Sequence, residues 1–283
     1  MVLESLVTPF KAEKNPWEMF FVGILYATVA LFISMQIFEK MAGLISVFLT
    51  VMACIPITLN AMKLEEEKDT LNIGERLLFR EHWRALSFFL FLFLGIMVAF
   101  TLWYVFLPPE IINDLFAIQI DTIRNINTNS VSGAIPSLDV FGVIFLNNVK
   151  VLLFCVLFAF FYGAGMIFIL VWNASVIAVA MGAFVRNGLA LYSAATGIAK
   201  VGAYFHVFSL GLLRYMVHGI PEIISYFIGG LAGGIISVAV VRHDFRTKHF
   251  EKILIDSATL LLVSVGVLFL AAILEIYVTP MLF

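Results

Sequence analysis

Residues 219–241 read GIPEIISYFIGGLAGGIISVAVV, a run with a single charge, Glu222, and four glycines packed into its middle. A helix crossing the hydrocarbon core of a bilayer needs roughly 20 mostly apolar residues. This stretch has that length. Similar runs lie on both sides of it, at 19–38, 41–62, 86–106, 150–172, 188–213 and 254–278, with a further apolar stretch at 174–185. Of the 283 residues, 62% are hydrophobic and 13% charged, 29 are Phe, and the mean hydropathy is +1.05. A soluble domain cannot hide that much apolar surface, so lipid is the expected solvent for most of the chain. The fold class expected is an all-α membrane protein: one polytopic domain over 1–283, about seven transmembrane helices, a short re-entrant or half-helix at 174–185, and interfacial helices.

Charge placement orients the spans. The segment 63–85 carries Lys63, Lys68, Arg76, Arg80 and Arg84, and 242–252 carries Arg242, Arg246, Lys248 and Lys252, whereas 107–139 has only Arg124. Counting Lys and Arg alone, as the positive-inside rule requires, puts the first two segments in the cytoplasm and the third outside. The N-terminus is then cytoplasmic and the C-terminus external in a multi-pass protein of the cell membrane. An even number of crossings must separate residues 172 and 242, which is why 174–185 is expected to turn back rather than span.

Three parts follow: a three-span part over 1–139, a core over 140–241 and a last span at 254–278. Residues 63–85, with Leu77, Leu78, Phe79 and Trp83 among arginines, read as an amphipathic interfacial helix. Ile111, Ile112, Leu115, Phe116 and Ile118 suggest a short external interfacial helix whose apolar side rests on lipid, followed by a polar loop from Asn125 to Ser132; protein partners docking at this external loop are the alternative. The first span reads as an uncleaved anchor, since no small-residue cleavage pattern follows it. Cys54 and Cys155 sit alone in apolar runs, which excludes a disulfide framework. Nothing basic and aromatic points to nucleic acid.

Between Asp139 and Asp244 the only acid is Glu222, while Lys150, Arg186, Lys200 and Arg214 share the interval. A lone carboxylate at membrane depth costs on the order of a few kcal/mol unless it is paired. Arg214 is the nearest cation in sequence, with Lys150 and Lys200 further off. Gly219 and Pro221 suggest that a helix begins here, which would make Glu222 a first-turn carboxylate and His218 a cap. Alternatively His218 and Glu222, four apart, converge in a polar pocket that relays a proton, binds a cation or, with His206, ligates zinc. No dense zinc signature such as H-E-x-x-H is present, so no metal and no cofactor are assigned.

Asn147 and Asn148 at the start of the 150–172 span and Asn173 after its end form a second set of polar groups that must find partners in hydrocarbon. Asn173 reads as a cap or interhelical fastening, and the Asn147–Asn148 pair as part of a pocket shared with Glu222. Gly229, Gly230, Gly233 and Gly234 make overlapping G-x-x-x-G pairs, which let helices approach closely, either within the chain or in a homodimer.

The ordered set of Asn147-Asn148, the Gly163 and Gly165 helix, Asn173, His218-Gly219-Ile220-Pro221-Glu222 and the Ala232-Gly233-Gly234 helix resembles the SpoIIM family, the stage II sporulation protein M-like membrane proteins. The resemblance covers about residues 140–241. It implies a membrane scaffold with no transferable enzymatic reaction; the family's member in spore-forming bacteria recruits cell-wall hydrolases. The leading reading is therefore a non-enzymatic scaffold or assembly partner. A transport-like or lipid-handling protein with a polar cavity at His218 and Glu222 is the second, and an intramembrane metal-dependent hydrolase the third.

Overall fold

The computed structural model describes residues 15–38, 41–70, 75–130, 138–162, 165–194, 196–241 and 248–282. Expectations that fall on residues 1–14, on the side chains of 65–82 and 125–139, and on 242–247 lie outside the described residues. The long helices are α1 (Glu18–Ile37), α2 (Ala42–Thr70), α3 (Glu75–Phe106), α6 (Leu138–Tyr162), α7 (Met166–Ala190), α8 (Gly197–Val241) and α9 (Lys248–Ile273). Between α3 and α6 come the short α4 (Pro109–Leu115) and α5 (Ala117–Ser130), and α9 continues through a π-helical turn, Leu274–Val278, into α10 (Thr279–Leu282). The protein is an all-α membrane protein, and among the described residues seven helices are long and apolar enough to span. Helices suit this solvent because each satisfies its own backbone polar groups where no water can.

Seven is the expected number, but the helices that make it up differ from expectation. The stretch 174–185 is no half-helix: it lies inside α7, a full span of 25 residues. Asn173 suggested a break there, yet its Nδ2 donates to the Ile169 carbonyl at 2.8 Å, one turn back on the same helix. An amide that bonds its own helix needs no helix end. Conversely, 188–213 and 219–241 are not two spans but one helix of 45 residues, with Pro221 in its interior. Proline removes one backbone donor, and in a packed bundle the loss of one hydrogen bond does not outweigh the cost of unwinding a turn among apolar neighbours. One span gained and one lost leaves both the total and the parity intact.

Residues 63–85 are likewise not a separate helix, since α2 runs on to Thr70 and α3 begins at Glu75. The expected polar loop from Asn125 is helical as far as Ser130. Of the apolar residues expected to rest on lipid, Ile112 and Leu115 of α4 and Phe116 after it are buried on protein, Phe116 against the rings of Phe100 and Tyr104, whereas Ile118 of α5 is exposed.

Close approaches fix the bundle. A Cβ at Gly23 would meet the Leu92 carbonyl oxygen, and one at Gly95 would meet the Phe20 carbonyl oxygen, so α1 and α3 cross backbone to backbone. In α8, Gly229 faces Leu152 of α6 and Ser264 of α9, Gly230 faces Met166, Gly233 faces the Val156 carbonyl and Ala159, and Gly234 faces Met62. All four glycines are buried against the chain's own helices. Without a hydrophobic force between helices in lipid, such small-residue contacts supply the dispersion that holds the spans together.

Candidate functional site

Arg214, His218, Glu222 and Tyr226 recur every fourth residue on α8, a spacing that sets side chains one above another on a helix. The end of the chain packs beside this row. His218 Nδ1 lies 3.1 Å from Thr279 Oγ1, and the Thr279 hydroxyl donates to the Leu274 carbonyl at 3.0 Å. That hydroxyl has one proton, so Nδ1 of His218 is the donor to Thr279. One turn along, the Tyr226 hydroxyl donates to Glu222 Oε1 at 2.8 Å.

Glu275, in the π turn, is the electrostatic neighbour of Glu222. Two largely buried carboxyl groups therefore lie near enough to feel one another's charge, and neither has an ion-pair partner among the described residues. Sequence reading stopped its search for acids at Asp244 and missed Glu275. The available signal was an acid within the apolar run of the last span. π turns, which recur at functional sites, carry no comparable sequence mark.

A second pair fastens the same two helices. Ser225 Oγ donates to the Ser264 carbonyl and Ser264 Oγ to the Ser225 carbonyl, each at 2.8 Å, with the two hydroxyl oxygens 3.1 Å apart. Both side chains are fully buried. Serine is common enough in spans that neither residue stood out in sequence.

The remaining expected site residues separate. Arg214 does not reach Glu222; it is exposed, and its guanidinium lies over the Phe184 ring, 5.5 Å from the centroid. A row with four-residue spacing puts Arg214 about 12 Å along the helix from Glu222, beyond pairing distance. His206 is exposed about two turns further away. Among the described residues no group of three His, Cys, Asp or Glu is placed to hold a metal. Asn148 is buried on the side of α6 that faces α8, and its Nδ2 has no hydrogen-bond partner. Its neighbour Asn147 points the other way and is exposed, so the pair does not act together. Glu222 is also not the first-turn carboxylate its Gly-x-Pro context suggested, because it lies more than six turns inside α8.

Two cavities open near the other end of α8. One of about 380 Å³ is lined by Arg186, Tyr192, Lys200 and Tyr204, and one of about 330 Å³ by Arg124, Asn187, Arg214 and Tyr215. Arg186 is held there by hydrogen bonds from Nη1 to the carbonyls of Tyr104 (3.1 Å) and Leu107 (2.8 Å). Neither cavity is lined by His218, Glu222 or Glu275.

These features define a polytopic helical membrane protein whose last two long helices are joined along a buried polar seam. The model of the SpoIIM family, Stage II sporulation protein M, matches residues 87–280, and the chain belongs to that family. The match is wider than the resemblance over 140–241: it takes in α3 at one end and Glu275 and Thr279 at the other. No curated protein and no solved structure matches the chain.

Proposed function

We propose that this SpoIIM-family protein is a non-enzymatic membrane scaffold, holding other membrane proteins in an assembly. The observation that carries the reading is the length and surface of α8. At 45 residues it is about 68 Å long, while a whole bilayer with its headgroups measures about 40–45 Å. From Val207, which meets Gly188, through Gly211, which meets Phe184 and Val185, α8 already lies alongside α7, so only about its first ten residues extend past that span.

Every described residue from 191 to 202 is exposed, including Leu191 at 84% and Ile198 at 91%, and Phe205 just beyond is 77% exposed. An apolar tip that projects past the end of the neighbouring span is the surface of a docking element. With α7 a full span and α8 a single one, the Lys and Arg count supports a cytoplasmic N-terminus, an external arm and an external C-terminus.

The polar seam fits the same reading. Tyr226 satisfies Glu222, Thr279 satisfies His218, and the two serines satisfy each other, which are the bonds of an internal clasp. A second reading, ion or proton movement through the membrane, draws on Glu222 and its electrostatic neighbour Glu275.

Purified chain in vesicles separates the two. A scaffold moves no protons or ions beyond empty vesicles. Flux that disappears in a folded Glu222→Gln variant would overturn the scaffold reading and establish the other.

A further inference from the structure

α6 is the most peripheral of the spans. Only 22% of its apolar window is buried, the smallest share among the seven. Its inner side is set by Asn148, Leu152, Cys155 and Ala159, all buried. The opposite side carries Leu146 (58% exposed), Leu153 (54%) and Phe154 (51%), and between them the exposed Asn147 and Lys150.

Lys150 is the eleventh residue of the 22-residue stretch Val140–Phe161. That is about 16 Å from either end of the span, more than a lysine stem can reach by snorkelling. An ammonium facing lipid at mid-depth costs about 2.5–3.5 kcal/mol on insertion scales and more in isolation. Lys150 has no ion-pair partner among the described residues. Its position excludes Glu222 as that partner, because Lys150 lies on the side of α6 turned away from α8.

We infer that this face of α6 receives a transmembrane helix of another protein that carries an Asp or Glu at mid-depth, with Lys150 as the pairing charge and Asn147 as a hydrogen-bonding neighbour. The charge itself selects the occupant. Lipid chains offer no acceptor, and an acidic lipid headgroup stays at the interface. A second copy docking α6 on α6 about a twofold axis would bring Lys150 against Lys150. A carboxylate on a foreign helix both neutralises the ammonium and accepts its hydrogen bonds. The inference deepens the scaffold reading by naming the kind of partner, but it rests on α6 alone and not on the arm or the polar seam.

The test places a photo-reactive side chain at Leu153 in the full chain, in its native membrane, with irradiation followed by mass spectrometry of the adduct. The expected adduct joins a span of a different membrane protein with an Asp or Glu near its middle. It should fall by about tenfold or more in Lys150→Met and persist in Lys150→Arg.

An adduct to another copy of this chain, an adduct to a span without a mid-depth acid, or lipid adducts alone would each overturn the proposal. So would an adduct indifferent to Lys150→Met. Vesicle flux stands apart from these outcomes, so loss of the adduct leaves the scaffold reading to be judged on its own measurement. A protein that proves to carry ions would still have its α6 partner tested.

Discussion

The two halves of α8 share one backbone and differ in everything around it. After Gly219 the helix is enclosed: Ile223, Tyr226, Phe227, Leu231 and Ile235 are buried and its glycines touch four other helices. Before Gly211 it is largely bare, with Ile198, Val201 and Phe205 in the open and Ala203 and Val207 alone buried against the end of α7. The contrast shows that hydrophobicity does not decide burial in such a chain. Both halves are apolar and both carry small residues, Gly202 among them; the helices that lie alongside distinguish the one that packs.

The most severe way to break the contrast is to fill a glycine in the enclosed half. A Cβ at Gly233 would lie 2.6 Å from the Val156 carbonyl oxygen, a backbone atom that cannot swing aside. Gly233→Val should cost at least about 3 kcal/mol and leave little monodisperse protein, as read by yield and by unfolding in detergent. At Gly202, in the bare half, nothing lies within 4 Å of the added carbon. Gly202→Ala should be neutral or stabilise by up to about 1 kcal/mol, since alanine favours the helix. Equal losses at the two sites would show that α8 is packed along its whole length.

A smaller effect is expected in the polar seam. Glu222→Ala leaves the Tyr226 hydroxyl without its acceptor and should cost about 1–3 kcal/mol, whereas Glu222→Gln keeps an acceptor oxygen and should stay within about 1 kcal/mol of wild type. If both variants are equally destabilised, the charge rather than the hydrogen bond is what the fold needs.

For Ser225→Ala and Ser264→Ala a double-mutant cycle should give a coupling of about 0.6 kcal/mol and no more than about 1.7, the average and the maximum for hydrogen bonds between membrane helices. Zero coupling would mean that each hydroxyl bonds the carbonyl of the opposite helix independently of the other. The smallest change in stability is expected at the arm, where Ile198→Ser and Phe205→Ser should alter stability by no more than about 0.5 kcal/mol. In native membranes the same pair should reduce the size of the assembly seen on native gels, and an unchanged assembly would remove the arm from the scaffold.

Span content was legible from composition because lipid imposes one requirement, an apolar run of sufficient length, that leaves a direct mark in sequence. Helix ends were not. Asn173 and Pro221 look like boundaries when each is weighed by its local chemistry, but Asn173 is satisfied one turn back and Pro221 is held by its neighbours. The site was half legible: His218 and Glu222 stood out as polar residues four apart, while Tyr226 and Thr279 are ordinary residues until a second helix brings them within hydrogen-bond distance. Glu275 was visible as an acid in the last span, yet nothing in its neighbourhood pairs it with a residue more than fifty positions earlier.

The sequence by itself therefore determined the solvent, the helical class, the number of helices long and apolar enough to cross, and the family. Each depends on patterns within a single span or on the order of spans along the chain. Only the tertiary structure decided that α8 is one helix with an enclosed half and a bare half, that Glu222 meets Tyr226 and has Glu275 rather than Arg214 as its charged neighbour, and that Lys150 faces outward. Those outcomes depend on which helix lies against which, and in a solvent as apolar as the side chains themselves, close packing and a few hydrogen bonds make that choice.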